Sequence, residues 1–313
     1  MKDNYLRVGT SYFKKSLYPT LSGDRIEILL PWSPELIRQD HGKNALSLVE
    51  IFDGFICFPE NRLEFYLKNH QGYYNTYHSL SKNPIEGDIT NTKKFITHIF
   101  GEQTEIGFDY LQLLYLKPTQ ILPILCLVSK ERATGKSTFL KWLKEIFEYN
   151  LTYLTNDSFS SNFNADWASK LLICIDEVLF QTEILTERIK YLSTTNVNKI
   201  EAKGKDRKEI EFFGKFILCS NNETSFIKID ADEIRFWVRK IDSYEKEDVH
   251  FLSKLIKEIP AFLYFLSKRQ LSTENKSRMW FTPHQIKTKA LQKLVKFNCN
   301  KLEGELAHVL INT

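Results

Sequence analysis

The sequence predicts an α/β protein organised around a central, mostly parallel sheet. Three observations carry this. Residues 119–243 alternate short apolar runs with helix-forming stretches, as a parallel sheet with crossover helices requires. Two of the runs, 124–128 and 171–175, are apolar without alternation, the pattern of strands buried on both faces. Helical periodicity flanks the region on both sides, at 81–118 and beyond 243.

The length of 313 residues allows two to three compact units. Residues 1–80 show short alternating stretches such as Arg25-Ile26-Glu27-Ile28-Leu29-Leu30, interrupted by turn pairs, and predict a small β-rich or mixed accessory region. Its Tyr73, Tyr74, Tyr77, His70 and His78 suit an aromatic core or a binding face. In the collar-like segment 81–118, Phe95, Ile96, Ile99 and Phe100 recur at helical spacing, and Lys117-Pro118 closes the pattern. Residues 119–243 form the sheet domain, and 244–313 return to helix. There, 250–269 is expected to break or kink at Pro260, a further helix to begin near Thr282-Pro283, and the amphipathic stretch 302–310 to lead towards another C-terminal module.

Composition narrows the function classes. With 42% apolar and 26% charged residues, the chain is not of the disordered type. A net charge of +4 does not demand a nucleic-acid partner, so local patches must argue for one. Cys57, Cys126, Cys174, Cys219 and Cys299 are odd in number and widely spaced, against a disulfide framework or zinc site and for a reducing interior. The N-terminus lacks an apolar signal segment, and the longest apolar run, 121–128, is too short for a bilayer. A cytoplasmic protein is expected, nuclear in a eukaryotic host, with no membrane partner.

The chemistry begins where the first strand ends. Ser129-Lys130-Glu131-Arg132-Ala133-Thr134 leads into Gly135-Lys136-Ser137-Thr138 and then an apolar helical stripe of Phe139, Leu140, Leu143 and Ile146. Strand, loop, Gly-Lys-Ser and helix are the context of a phosphate-binding loop. Backbone N–H groups of the loop and the helix N-terminus attract phosphate oxygens. Thr134, Gly135, Lys136, Ser137 and Thr138 would cradle a nucleotide, with Lys136 reaching the β- and γ-phosphates and the Ser137 hydroxyl ligating Mg2+. One position departs from the motif: Lys130 stands where a first glycine is usual, so the loop's first turn must be made another way.

Forty residues on, the run 171–175 ends in Asp176-Glu177, two carboxylates that a nucleotide-bound cation would explain. Asp176 would hold the metal, and Glu177 would orient or deprotonate an attacking water. A third strand, Phe216-Ile217-Leu218-Cys219, ends in Ser220-Asn221-Asn222, which suits either a hydrogen bond to the γ-phosphate or plain turn chemistry.

The phosphate loop, the acidic strand, a basic segment and the asparagine strand, in that order, resemble the superfamily 3 helicases of small DNA viruses, poxvirus-type primase-helicases and mobile elements. The strings Val128-Ser129-Lys130-Glu131-Arg132, Ala202-Lys203-Gly204-Lys205-Asp206-Arg207 and Leu218-Cys219-Ser220-Asn221-Asn222-Glu223 resemble primase-helicases of phages and integrated elements. The resemblance spans about residues 90–290. It implies a P-loop NTPase fold of AAA+-like type, ATP and Mg2+ as cofactors, and a homo-oligomeric ring, a hexamer, on single-stranded or fork DNA. It also implies work beside a primase domain or protein. By position Asn221 resembles the family's sensor asparagine. Lys203, Lys205, Arg207 and Lys208 resemble a DNA-contacting hairpin, although the interspersed Glu201, Asp206 and Glu209 also suit a solvated loop. Arg235 is the candidate arginine finger, and Arg239 a strand residue or second sensor. The implied activity is ATP hydrolysis coupled to DNA translocation in replication of a phage, plasmid or mobile element. The alternatives are a loader, packaging or defence ATPase, and an inactive scaffold.

Overall fold

The structure is a computed structural model that describes residues 4–19, 25–180, 182–201, 207–230, 233–244 and 248–299. The chain divides into two compact units, Met1–Glu60 with Glu64–Ser79, and Asn61–Leu63 with Leu80–Thr313.

In the first unit, β1 (Tyr5–Val8), β2 (Ser11–Pro19), β3 (Arg25–Trp32) and β4 (Glu50–Phe52) form a sheet of order β3-β2-β1-β4. β1, β2 and β3 pair antiparallel, and β4 lies parallel to β1. Helix α1 (Pro34–His41) follows β3, with the Ser33 hydroxyl accepting the Glu35 N–H at 3.1 Å as its cap. A smaller sheet joins β5 (Gly54–Ile56), β6 (Asn69–His70) and β7 (Tyr73–Asn75). Tyr74 and Tyr77 are buried and Tyr73 is exposed, so two of the three tyrosines serve the core.

The second unit opens with α2 (Thr90–Phe100) and α3 (Thr104–Leu116), whose apolar sides are buried. Then come β8 (Ile124–Val128), α4 (Lys136–Phe147), β9 (Leu151–Leu154), α5 (Asn156–Ser160), β10 (Leu172–Ile175) and α6 (Glu183–Leu192). A hairpin of β11 (Val197–Ile200) and β12 (Lys208–Glu211) precedes β13 (Lys215–Ser220), β14 (Phe236–Lys240) and α7 (Phe251–Lys268). The five sheet strands are mutually parallel in the order β14-β8-β13-β10-β9. Their side chains are the interior: Cys126, Val128, Ile173, Ile175, Phe216 and Leu218 are all fully or nearly fully buried in one apolar cluster. Burial explains the unbroken apolar runs, since neither face of β8, β10 or β13 meets water.

Two local expectations are corrected. The break expected at Pro260 does not occur, and helix α7 runs through it as one element. Proline removes one backbone bond, but Ile259, Phe262, Leu263 and Leu266 bury an apolar stripe on either side of it, and that burial outweighs the roughly 3 kcal/mol a proline costs. Thr282-Pro283 opens a turn at 282–286 instead of a helix; the helix begins at 289, where Thr288 accepts the Leu291 N–H at 3.0 Å and caps it.

Lys215 starts β13 fully enclosed, its ammonium donating to the carbonyls of Pro118 and of Phe213, the latter at 2.6 Å. Burial pushes it down to about 7, whereas an unfolded lysine titrates near 10.4. Between those values the unfolded chain holds the extra proton, so raising the pH favours the folded state. Urea denaturation is expected to show stability rising from pH 7 to 9 by up to about 1.4 kcal/mol per pH unit from this group. Lys215→Met should remove that component of the slope, and an unchanged slope would refute the assignment.

Candidate functional site

The carboxyl ends of β8, β13 and β10 lie side by side, so the loops that leave them share one edge of the sheet. The loop after β8 makes its first turn without glycine. Ser129 is buried, its N–H donates to the Ser220 carbonyl at 3.2 Å, and its hydroxyl accepts the Glu131 N–H at 3.1 Å. That hydroxyl-closed turn does the work of the glycine absent at Lys130. Ala133 then adopts φ +54° and Gly135 φ +89°, which turn successive backbone groups inward ahead of α4. Glycine is favoured at 135 on two counts, the left-handed backbone and the space: a Cβ there would stand 3.2 Å from Phe95 and 3.2 Å from Tyr244.

Packing from α2 and from the segment after β14 braces the loop. The Thr134 carbonyl lies 3.0 Å from His98 Nε2, the Ala133 carbonyl accepts the Tyr244 N–H at 3.3 Å, and the His98 and Tyr244 rings stack with centroids 3.8 Å apart. Lys136 is 7% exposed and its ammonium donates to the Thr134 hydroxyl at 3.2 Å. Burial lowers the Lys136 ammonium below its ordinary value, while Asp176 and Glu223 pull it back up. An arriving anion would repair that imbalance. Thr138 is half-buried in the first turn of α4.

Across the edge, the Ser137 hydroxyl donates to Asp176 Oδ2 at 3.2 Å. Residues 39 positions apart are thus joined, and both are exposed towards the loop. Glu177 follows in a left-handed conformation, φ +57°. Its turn is held by Asn156 at the start of α5, which donates to the Glu177 carbonyl at 3.2 Å and accepts the Leu179 N–H at 3.1 Å. Strain kept in place by two such bonds at a carboxylate is what a functional turn looks like. Asn221 is exposed at the end of β13 and makes no side-chain hydrogen bond with the described residues. Its neighbour Asn222 is spent on the turn, accepting the N–H groups of Thr224 and Ser225 at 3.0 and 2.8 Å.

Thr134, Gly135, Lys136, Ser137, Thr138, Asp176, Glu177 and Asn221 therefore converge on one edge. Arg235 does not. It precedes β14 at the opposite, amino-terminal edge, where its carbonyl accepts the Ile124 N–H at 2.8 Å and its guanidinium pairs with Glu233 at 2.9 Å. Arg239 is buried inside β14 and pairs with Glu102 at 2.7 Å, a structural role. Arg207 and Lys208 stand on the separate β11–β12 hairpin, where Arg207 pairs with Glu201 at 2.7 Å. Lys203 and Lys205 lie outside the described residues.

Asn156 and Glu223 are site residues that sequence reasoning missed. Asn156 reads as an ordinary helix-start residue, and Glu223 closes the family-like string Leu218-Cys219-Ser220-Asn221-Asn222-Glu223 with no role of its own read for it. The Ser137–Asp176 pair brings one hydroxyl and one carboxylate together, oxygen donors of the kind a hard divalent cation takes; no cluster of three or more His, Cys, Asp or Glu side chains placed to hold a metal occurs among the described residues. No helix among them is long and apolar enough to cross a membrane.

A family model described as a family of unknown function (DUF5906) matches residues 127–239, from the end of β8 into β14. No curated protein matches the sequence. The chain is similar in structure to the apo form of the NrS-1 C-terminal region, with a TM-score of 0.72 and 16% identity over 94% of this chain and 71% of that one. It is similar as well to the A-form apo structure of the same region, with a TM-score of 0.71 and 18% identity over 94% and 72% of the two chains. The likeness is one of fold.

Gly135→Ala is expected to lower the stability of the second unit by about 1–3 kcal/mol, from the left-handed backbone and the two close contacts. Denaturant midpoints of the two proteins test this, and equal midpoints would mean that the loop relaxes without cost.

Proposed function

We propose that this chain is a Mg2+-dependent ATPase of P-loop, AAA+-like type, working as a superfamily 3 helicase motor on DNA. The Ser137–Asp176 contact carries the reading. It joins the hydroxyl of the phosphate loop to the carboxylate of the acidic strand, as sharing one cation on ATP requires. The strand order supports it, because β13 between β8 and β10 sets Asn221 beside both loops.

In this reading the loop N–H groups and Lys136 bind the β- and γ-phosphates, and Glu177 accepts the proton of the attacking water. The water oxygen bonds to the γ-phosphorus as the bond to the bridging oxygen breaks, leaving ADP and phosphate. Mg2+ held by Ser137 and Asp176 would neutralise charge on the phosphate oxygens. Asn221 orients the γ-phosphate or the water. Arg235 lies too far around the sheet to serve its own site, so it acts on a neighbour's ATP, which calls for a ring such as a hexamer. The hairpin of β11 and β12, with Arg207 and Lys208, would follow a phosphate backbone, a role proposed as well for Lys203 and Lys205, which lie outside the described residues. Single-stranded or fork DNA is the proposed partner, beside a primase, in replication of a phage, plasmid or mobile element. Arg207's engagement with Glu201 favours, as a second reading, an ATPase that does not unwind; a strand-displacement assay separates the two.

Lys136→Ala should reduce ATP turnover by about a hundredfold or more while the protein stays folded. Wild-type-like turnover would end the proposal. Rings mixed from Arg235→Ala and Glu177→Gln subunits should regain part of the activity that either variant lacks alone, because some interfaces then carry both intact groups. Absence of any recovery at every mixing ratio would remove Arg235 from the role.

A further inference from the structure

The hairpin of β11 and β12 is a two-stranded sheet that pairs with no other described strand, and such a hairpin needs outside contacts to keep one position. Ile200 and Ile210 pack against the apolar cluster of the sheet domain. Apolar contact is non-directional, so it holds the hairpin close without fixing its angle. Asn164 supplies the direction. It is 4% exposed, and its side-chain amide donates to the Lys199 carbonyl at 2.8 Å and accepts the Glu201 N–H at 2.8 Å. Its own N–H donates to the Glu201 carbonyl at 3.2 Å. One buried asparagine thus pairs with the end of β11 much as a short strand would.

The same stretch of chain reaches the candidate site. Asn156 opens α5 and bonds the Glu177 turn at two points. Phe159 stacks on Phe180, three residues beyond Glu177, with ring centroids 5.1 Å apart. Where α5 ends, the Arg188 guanidinium donates to the Ser160 and Ser161 carbonyls at 3.1 and 2.8 Å and fastens the segment to α6. Residues 156–164 are therefore a braced bar, with the Glu177 turn at one end and the hairpin at the other. At the hairpin end the Glu201 carboxylate pairs with Arg207 at 2.7 Å, and the Arg207 side chain is 60% exposed.

An ion pair so exposed adds little stability. A phosphate competes well for its arginine, because it offers the guanidinium two oxygens at once. Once Arg207 has gone over to a phosphate, the Glu201 carboxylate faces a like charge. Glu201 cannot draw back without disturbing the two main-chain bonds it shares with Asn164. We propose that Asn164 is a positioning residue for hydrolysis: it carries the binding of single-stranded DNA at Arg207 along residues 156–164 to the Glu177 turn, so that DNA raises ATP turnover. This rests on the ATPase reading above.

ATP turnover with and without a saturating thymidine oligonucleotide decides, with the affinity for that oligonucleotide measured beside it. Wild-type turnover should rise roughly fivefold or more, the lower end of ordinary coupling between two sites. In Asn164→Ala the ratio should fall below about twofold while the oligonucleotide still binds, and Asn164→Gln, which keeps the amide, should recover part of it. A merely structural bond, when lost, lowers the melting temperature and both turnover rates together and leaves the ratio where it was. Glu201→Ala should bind the oligonucleotide more tightly, because Arg207 is already free, and yet respond to it less. That variant decides if Asn164→Ala does not fold. The proposal is overturned, and the ATPase reading left intact, by an unchanged ratio in a folded variant or by a ratio lost only because the oligonucleotide no longer binds. A wild-type ATPase indifferent to the oligonucleotide does the same. A wild-type protein that hydrolyses no ATP overturns both.

Discussion

Placing β13 between β8 and β10 forces three chain reversals to emerge next to one another at the same edge of the sheet. A parallel strand buried on both faces delivers its carboxyl end, its unpaired backbone groups and whatever polar residue comes next to that edge. Lys136, Asp176 and Asn221 are neighbours for this reason. They belong to separate stretches of sequence, and only the lateral order of strands makes them a site. The aromatic and aliphatic cluster around Cys126, Ile173 and Phe216 keeps that order rigid.

Around this edge the charges are arranged against a common liability. Lys136 is buried without a carboxylate in hydrogen-bond contact and rests on the Thr134 hydroxyl. Asp176 and Glu177 are exposed, and only Asp176 bonds a side chain of the loop, that of Ser137. His98, the Tyr244 N–H and Asn156 each bond the backbone of these loops, at the Thr134, Ala133 and Glu177 carbonyls. A loop held in this way has fewer conformations to lose when any ligand orders it.

Much of this is legible in the sequence, for identifiable reasons. β8, β10 and β13 announce themselves because buried parallel strands are written as continuous apolar runs, and each ends at or next to the polar residue that matters. Gly135-Lys136-Ser137 is legible because its backbone geometry and chemistry admit few substitutes. Other features leave no local trace. Asn156 meets Glu177 across 21 positions and Lys293 meets Glu223 across 70, and neither pair has any periodicity linking its members. The turn made by Ser129 in place of a glycine depends on burial that only the folded sheet supplies. The uninterrupted helix through Pro260 depends on the tertiary packing of Phe262 and Leu263, which overrides a strong local signal.

Glu233 has a second partner, and this changes what Arg235 can do. The carboxylate is 3% exposed and pairs with Lys190 at 3.3 Å as well as with Arg235. A buried acid stripped of its only cation would resist letting go. Here Glu233 keeps Lys190 as a partner independently of Arg235, which is 35% exposed. The carboxylate therefore has a cation of its own on α6, and its burial does not depend on Arg235.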